Sequence, residues 1–176
     1  MSRSEKLILL QADPAGCIAA LDVILGTRGY RRAATRTIRE DFSPLLNEAG
    51  DPLAFVFSAP VGNWIACFTS LAFAVEWEVA EELAAALEQP LVHAVFDGVY
   101  GVYGYRYFEG GELREEALPE GDVEALDETT LLQRLHEHGI APELVDDRVT
   151  GFGHEHLVVG YARDQKDAAA QGDTAG

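Results

Sequence analysis

The chain has 176 residues, 48% of them hydrophobic, and a formal net charge of −17 at pH 7. That length carries one domain of ordinary size, with enough apolar surface to fold without a disulfide or a metal. So acidic a body repels phosphate backbones and anionic bilayers, which excludes nucleic acid and membranes as expected partners, and it attracts basic proteins.

The start, "MSRSEKLILLQADP", holds only the four apolar residues Leu7 to Leu10 in a row, too few for a secretory h-region. The two cysteines, Cys17 and Cys67, sit among apolar residues without a CxxC spacing. Two buried thiols in a reducing, cytoplasmic setting are therefore expected. Lys6 to Gln11 reads as a first strand. Asp13 is a good N-cap and Pro14 suits the first helical position, and Ile18, Leu21 and Leu25 then recur at helical spacing until Gly26 and Gly29.

"RGYRRAATRTIRE" holds Arg28, Arg31, Arg32, Arg36 and Arg39. If this segment is extended, Arg28, Arg32 and Arg36 share one face, a candidate anion or acidic-partner patch. The competing reading is a solvated strand that offsets the acidic remainder by local pairing. Residues 1–39 are net +4, whereas 40–105 are net −10 and 106–176 are net −11.

Leu53 to Val75 carries no charge and is about as long as a membrane span. Pro60, Gly62 and Asn63 interrupt it, so two buried strands joined by a turn are expected. The next segment, Val75 to Glu88, reads as a helix with Val79, Leu83 and Leu87 on one stripe and its glutamates mostly off it. Pro90 stops it.

Leu91 to Phe108 reads as a hairpin with a two-residue turn at Asp97-Gly98, which would set Phe96 opposite Val99 and Val92 opposite Tyr103. Tyr103, Tyr105 and Tyr107 then share one face, and their hydroxyls need partners if buried. His93, Tyr100 and Arg106 share the other, a candidate ligand-binding cluster. A buried His–Arg neighbourhood needs an anion. Either an internal glutamate, such as one from the second helix, or a bound anion would serve.

Glu112 to Glu116 suits a short charged edge strand. Asp127 can cap a third helix with Leu131, Leu132 and Leu135 on its apolar side, ended by Gly139. The tripeptide His-Glu-His occurs twice. On a final strand, His154 and His156 would point to one face as half of a metal site. His136 and His138, two apart in a helix, would not, and read as terminal decoration. Residues 1–163 are expected to form one domain and 164–176 a disordered polar tail.

The expected fold is α+β: a mainly antiparallel, meander-like sheet of about six to eight strands with three helices packed on it. No glycine-rich phosphate loop and no complete catalytic constellation is present, so neither a cofactor nor catalytic residues are assigned. In size, charge and element order the chain is similar to small acidic α+β proteins of bacteria, including immunity proteins that neutralise toxins. The expected function is a non-catalytic protein-binding module, immunity- or adaptor-like, with an acidic surface for a basic protein partner. The alternative is a small-molecule or metal-binding protein that uses the histidine, arginine and tyrosine residues named above.

Overall fold

The computed structural model describes residues 4–47, 52–118, 126–146 and 153–164. In chain order these form β1 (Ser4–Leu10), α1 (Pro14–Gly26), β2 (Tyr30–Ile38), a 3-10 turn (Ser43–Leu46), β3 (Leu53–Phe57), β4 (Ile65–Thr69) and α2 (Phe73–Leu87). There follow β5 (Leu91–Asp97), β6 (Val102–Glu109), β7 (Glu112–Ala117), α3 (Glu128–Glu137), α4 (Pro142–Val145) and β8 (His156–Arg163). Apart from Asp164, the expected polar tail lies outside the described residues.

The eight strands form one sheet in the order β2-β8-β3-β4-β1-β5-β6-β7, and every neighbouring pair is antiparallel. The fold is α+β. It is a meander only in part: β3–β4 and β5–β6–β7 follow the chain, whereas β1 lies between β4 and β5 and β8 between β2 and β3. Leu7 to Leu10 explain why β1 is interior. Four consecutive apolar side chains point alternately to both faces, so both faces must be covered, and all four are buried. On one face α1 and α2 pack over Ile8, Leu10, Phe55, Phe57, Cys67 and Tyr161. On the other, α3 and α4 cover Leu7, Leu9, Val56, Phe68, Val92 and Val158.

Local chemistry sets the element ends. The Asp13 carboxylate accepts from the Gly16 amide at 2.7 Å, and that of Asp127 accepts from the Thr130 amide at 2.7 Å, so both expected caps form. Helix α2 ends at Leu87, three residues before Pro90, and the capping Glu88 takes a left-handed conformation (φ 56°) with its amide bonded back to Ala84. The uncharged segment is a hairpin, closed by the Val61–Trp64 bridge around Gly62. Among the described residues no helix is long and apolar enough to cross a membrane.

Two expectations about register change. The β5–β6 loop holds four residues, Gly98 to Gly101, because Asp97 pairs with Val102. Instead of forming a two-residue turn, the Asp97 carboxylate accepts from the amides of Val99 and Tyr100, at 3.0 and 3.2 Å, and Gly101 supplies the left-handed residue (φ 66°). Phe96 therefore opposes Tyr103 rather than Val99. The displacement is an even number of residues, so the assignment of side chains to faces survives. Tyr100 does not stay with its expected neighbours: it is in the loop and 81% exposed.

In β2 the ladder is irregular between Arg32 and Ala34. Arg32 pairs with Tyr161 and Arg36 with Val158, three residues apart on β8. A bulge inserts one residue and so moves the rest of the strand to the opposite face. Arg32 thus lies on the α1 side and Arg36 on the α3 side, while Arg28 precedes the strand. The three arginines expected on one face do not share it.

Candidate functional site

His93 and Arg106 share a face, as expected, and the shifted register makes them direct cross-strand partners on β5 and β6, on the face covered by α2. Their anion is Glu76, in the first turn of α2. One carboxylate oxygen accepts from Thr69 Oγ1 at 2.5 Å, and the other lies 2.8 Å from His93 Nε2. Arg106 Nη2 donates to the Trp77 carbonyl at 2.8 Å and to His93 Nδ1 at 3.2 Å. A guanidinium has no acceptor, so Nδ1 must accept, which places the ring proton on Nε2, aimed at Glu76. The imidazole is neutral in this arrangement and relays between a buried cation and a buried anion.

Packing closes the relay. The guanidinium carbon of Arg106 lies 3.4 Å from the Trp77 ring centroid and 5.1 Å from that of Phe108. Phe73 stacks on His93, and Trp77 meets it edge-on. Burial lowers the Arg106 pKa, opposed by the carboxylates of Glu81 and Glu116. The side chains of Glu76 and His93 are fully buried. Of the two anion sources expected from the sequence, the internal glutamate fills the position. Glu76 was legible: stepping the buried stripe of Val79, Ala80 and Leu83 back one helical turn lands on it.

A second polar cluster lies on the opposite face. Tyr105 donates to Glu115 Oε2 at 2.9 Å, and His138 Nε2 meets the same oxygen at 3.0 Å. The Tyr107 ring lies 4.2 Å from that of His138. The His138 carbonyl accepts from Trp64 Nε1 at 3.2 Å. His138, expected to be terminal decoration, therefore pins the end of α3 to β6, β7 and the turn of the β3–β4 hairpin. Helical spacing alone does not report such contacts, because they come from strands distant in the chain. His138 and Tyr105 hold the Glu115 carboxyl below its ordinary value.

Burial, reinforced by Glu115, pushes the Tyr105 hydroxyl up to about 12. A raised acid keeps its proton longer when folded than when unfolded. Its contribution is complete below about pH 10 and is lost as pH rises toward 12. Burial also raises the pKa values of Tyr161 and Cys17, which act in the same sense. Stability measured by urea titration is expected to fall above pH 10, and Tyr105→Phe to make that fall shallower. An unchanged slope in the variant would contradict this assignment.

The remaining predicted residues are dispersed. His154 precedes β8 and is exposed, whereas the His156 ring is buried 4.7 Å from that of Phe42. His156 Nδ1 donates to the His154 carbonyl at 3.1 Å. The strand begins only at His156, so the two imidazoles do not project from one strand face. No group of three or more His, Cys, Asp or Glu suited to a metal occurs among the described residues. Arg28 is bound by Glu82 at 2.7 Å and Glu78 at 3.4 Å, and Arg32 lies 3.5 Å from Asp22. Cys17 and Cys67 are buried free thiols. Burial raises the pKa of both, which disfavours the reactive thiolate.

No family model, curated protein or solved structure matches the chain. Function must therefore be read from the residues themselves. Outside the buried relay, carboxylates gather along α2 and the adjoining β6–β7 hairpin. Glu78, Glu81, Glu82 and Glu88 are exposed on α2, and Glu109, Glu112 and Glu116 on the β6–β7 hairpin. The two groups adjoin: Gly111 in the hairpin turn packs against Ala85 of α2, and Glu81 and Glu116 flank Arg106. Phe73 and Leu113 add half-exposed apolar surface, 47% and 46% exposed.

Proposed function

We propose that the protein is a non-catalytic binding module that holds a basic protein partner on the acidic surface of α2 and the β6–β7 hairpin. The observation that carries this reading is that α2 and the adjoining β6–β7 hairpin expose glutamates along their length together with Phe73 on α2 and Leu113 on β7. Apolar anchors within a charged rim are a common build of protein interfaces. The internal closure of the Glu76–His93–Arg106 relay favours this over a ligand cavity, because the anion a ligand would supply is already part of the fold.

The test is capture of a basic protein from the native host at low salt, with E88K/E109K/E112K in parallel. None of these positions touches the buried relay. Capture by the parent chain is expected to weaken as salt rises, and the variant is expected to associate about 10- to 1,000-fold more slowly. The reading fails if nothing is captured, or if the triple variant captures the same protein equally well.

A further inference from the structure

Strand β2 lies at the sheet edge opposite β7 and is the longest strand. Residues 31–37 are exposed throughout, with α1 reaching them only where Asp22 meets Arg32. An edge strand presents unpaired backbone donors and acceptors, a ready template for another chain. Ala33, Ala34, Thr35 and Thr37 are small or β-branched and allow close approach, and β2 contains no proline.

Going beyond the acidic surface, we propose that this edge is a second docking surface, which accepts an extended acidic segment of a partner by strand addition. Backbone pairing supplies affinity in such binding, and slots for alternate side chains supply specificity. Both kinds of feature are present. At the start of β2 a notch of about 200 Å³ is lined by Arg31, Arg32 and Arg163, with Asp164 beside them. Toward its end a groove of about 330 Å³ is lined by Ala34, Pro44, Leu45, Pro52 and Val158, with Arg36 at its border. The segment that fits alternates carboxylates, which lie over the notch beside Arg32, with apolar side chains, which enter the groove beside Ala34.

Charge selects this occupant. From Arg28 to Arg39 there are five arginines and no acid. Arg31 and Arg32 meet Asp164 and Asp22 at 3.3 and 3.5 Å. Such solvent-exposed pairs contribute little to stability and exchange readily for an incoming carboxylate. A second copy is disfavoured: β2–β2 pairing brings together two segments that each carry five arginines and no acid, and like charges gathered along a ladder destabilise it.

The test uses the full chain and a pool of fluorescent, end-blocked seven-residue peptides. Glutamate alternates in them with a randomised apolar position, and lysine replaces glutamate in the control pool. The acidic pool is expected to bind and to slow amide exchange at residues 31–37, and the lysine pool to do neither. R32E/R36E is expected to weaken binding at least tenfold while its melting temperature and circular dichroism stay near those of the parent. Ala34→Pro, which blocks the edge without changing charge, is expected to reduce binding too. The proposal is overturned if no acidic peptide is retained, if R32E/R36E binds equally well, or if protection maps elsewhere. Concentration-dependent dimerisation abolished by R32E/R36E would assign the edge to a second copy and likewise overturn it. R32E/R36E leaves the α2–β7 surface intact, so capture of a basic partner is expected to persist and the two readings fail separately.

Discussion

Replacing Glu76 with alanine is expected to destabilise the protein by about 3–5 kcal/mol, the usual cost of removing one charged member from a buried network that links an anion to a cation. The loss removes the acceptor of the Thr69 hydroxyl and of the His93 ring proton, and leaves the Arg106 guanidinium buried without its relayed anion. Glu76→Gln keeps an acceptor but not the charge, and should fall between alanine and the parent. Replacing all three members with apolar residues of similar volume (E76L/H93L/R106M) should cost far less than E76A, because no charge is then stranded. Urea unfolding at pH 7 checks the series. An E76A protein within about 1 kcal/mol of the parent would show that the relay does not hold the fold together.

Phe55→Ala is expected to cost about 3–5 kcal/mol, as truncation of a fully buried aromatic usually does. Phe55 lies on β3, next to the strand pair at the centre of the sheet, and is inaccessible to solvent. Its ring meets Tyr161 edge-on at 5.5 Å, and Tyr161 in turn donates to Asp22 of α1 at 2.9 Å. The cavity would therefore open between the sheet and the helix layer, and would loosen a buried hydroxyl as well as apolar contacts. Val23→Ala on α1, at a side chain 70% exposed, is expected to stay within about 0.5 kcal/mol. Chemical denaturation of both variants would test the contrast, and similar losses at the two sites would contradict the assigned core.

These two predictions differ in how far the sequence foretold them. That His93 and Arg106 face the same way follows from the two-residue period of strands, and it survives a wrong turn because the error was an even number of residues. That they need an anion follows from the cost of burying a charge. Which carboxylate answers did not follow. The stripe of Val79, Leu83 and Leu87 leaves the glutamates of α2 mostly off it, and the place of Glu76 shows only when the buried stripe is extended back to the first turn. The arginine patch failed for the converse reason. A regular strand would put Arg32 and Arg36 on one face, but one bulged residue between Arg32 and Ala34 sends Arg36 to the other.

By itself the sequence determined the elements and their caps: Asp13-Pro14 opening α1, Asp127 opening α3, the uncharged β3–β4 hairpin, and the α+β class. These depend on residues within a few positions of one another. Only the tertiary structure decided that β1 enters between β4 and β5, that β8 enters between β2 and β3, and that His138 ties α3 to Glu115. An open backbone hydrogen-bond ladder accepts any strand whose faces match, so strand order is settled by which arrangement buries the apolar faces of the whole chain together. No local pattern carries that information.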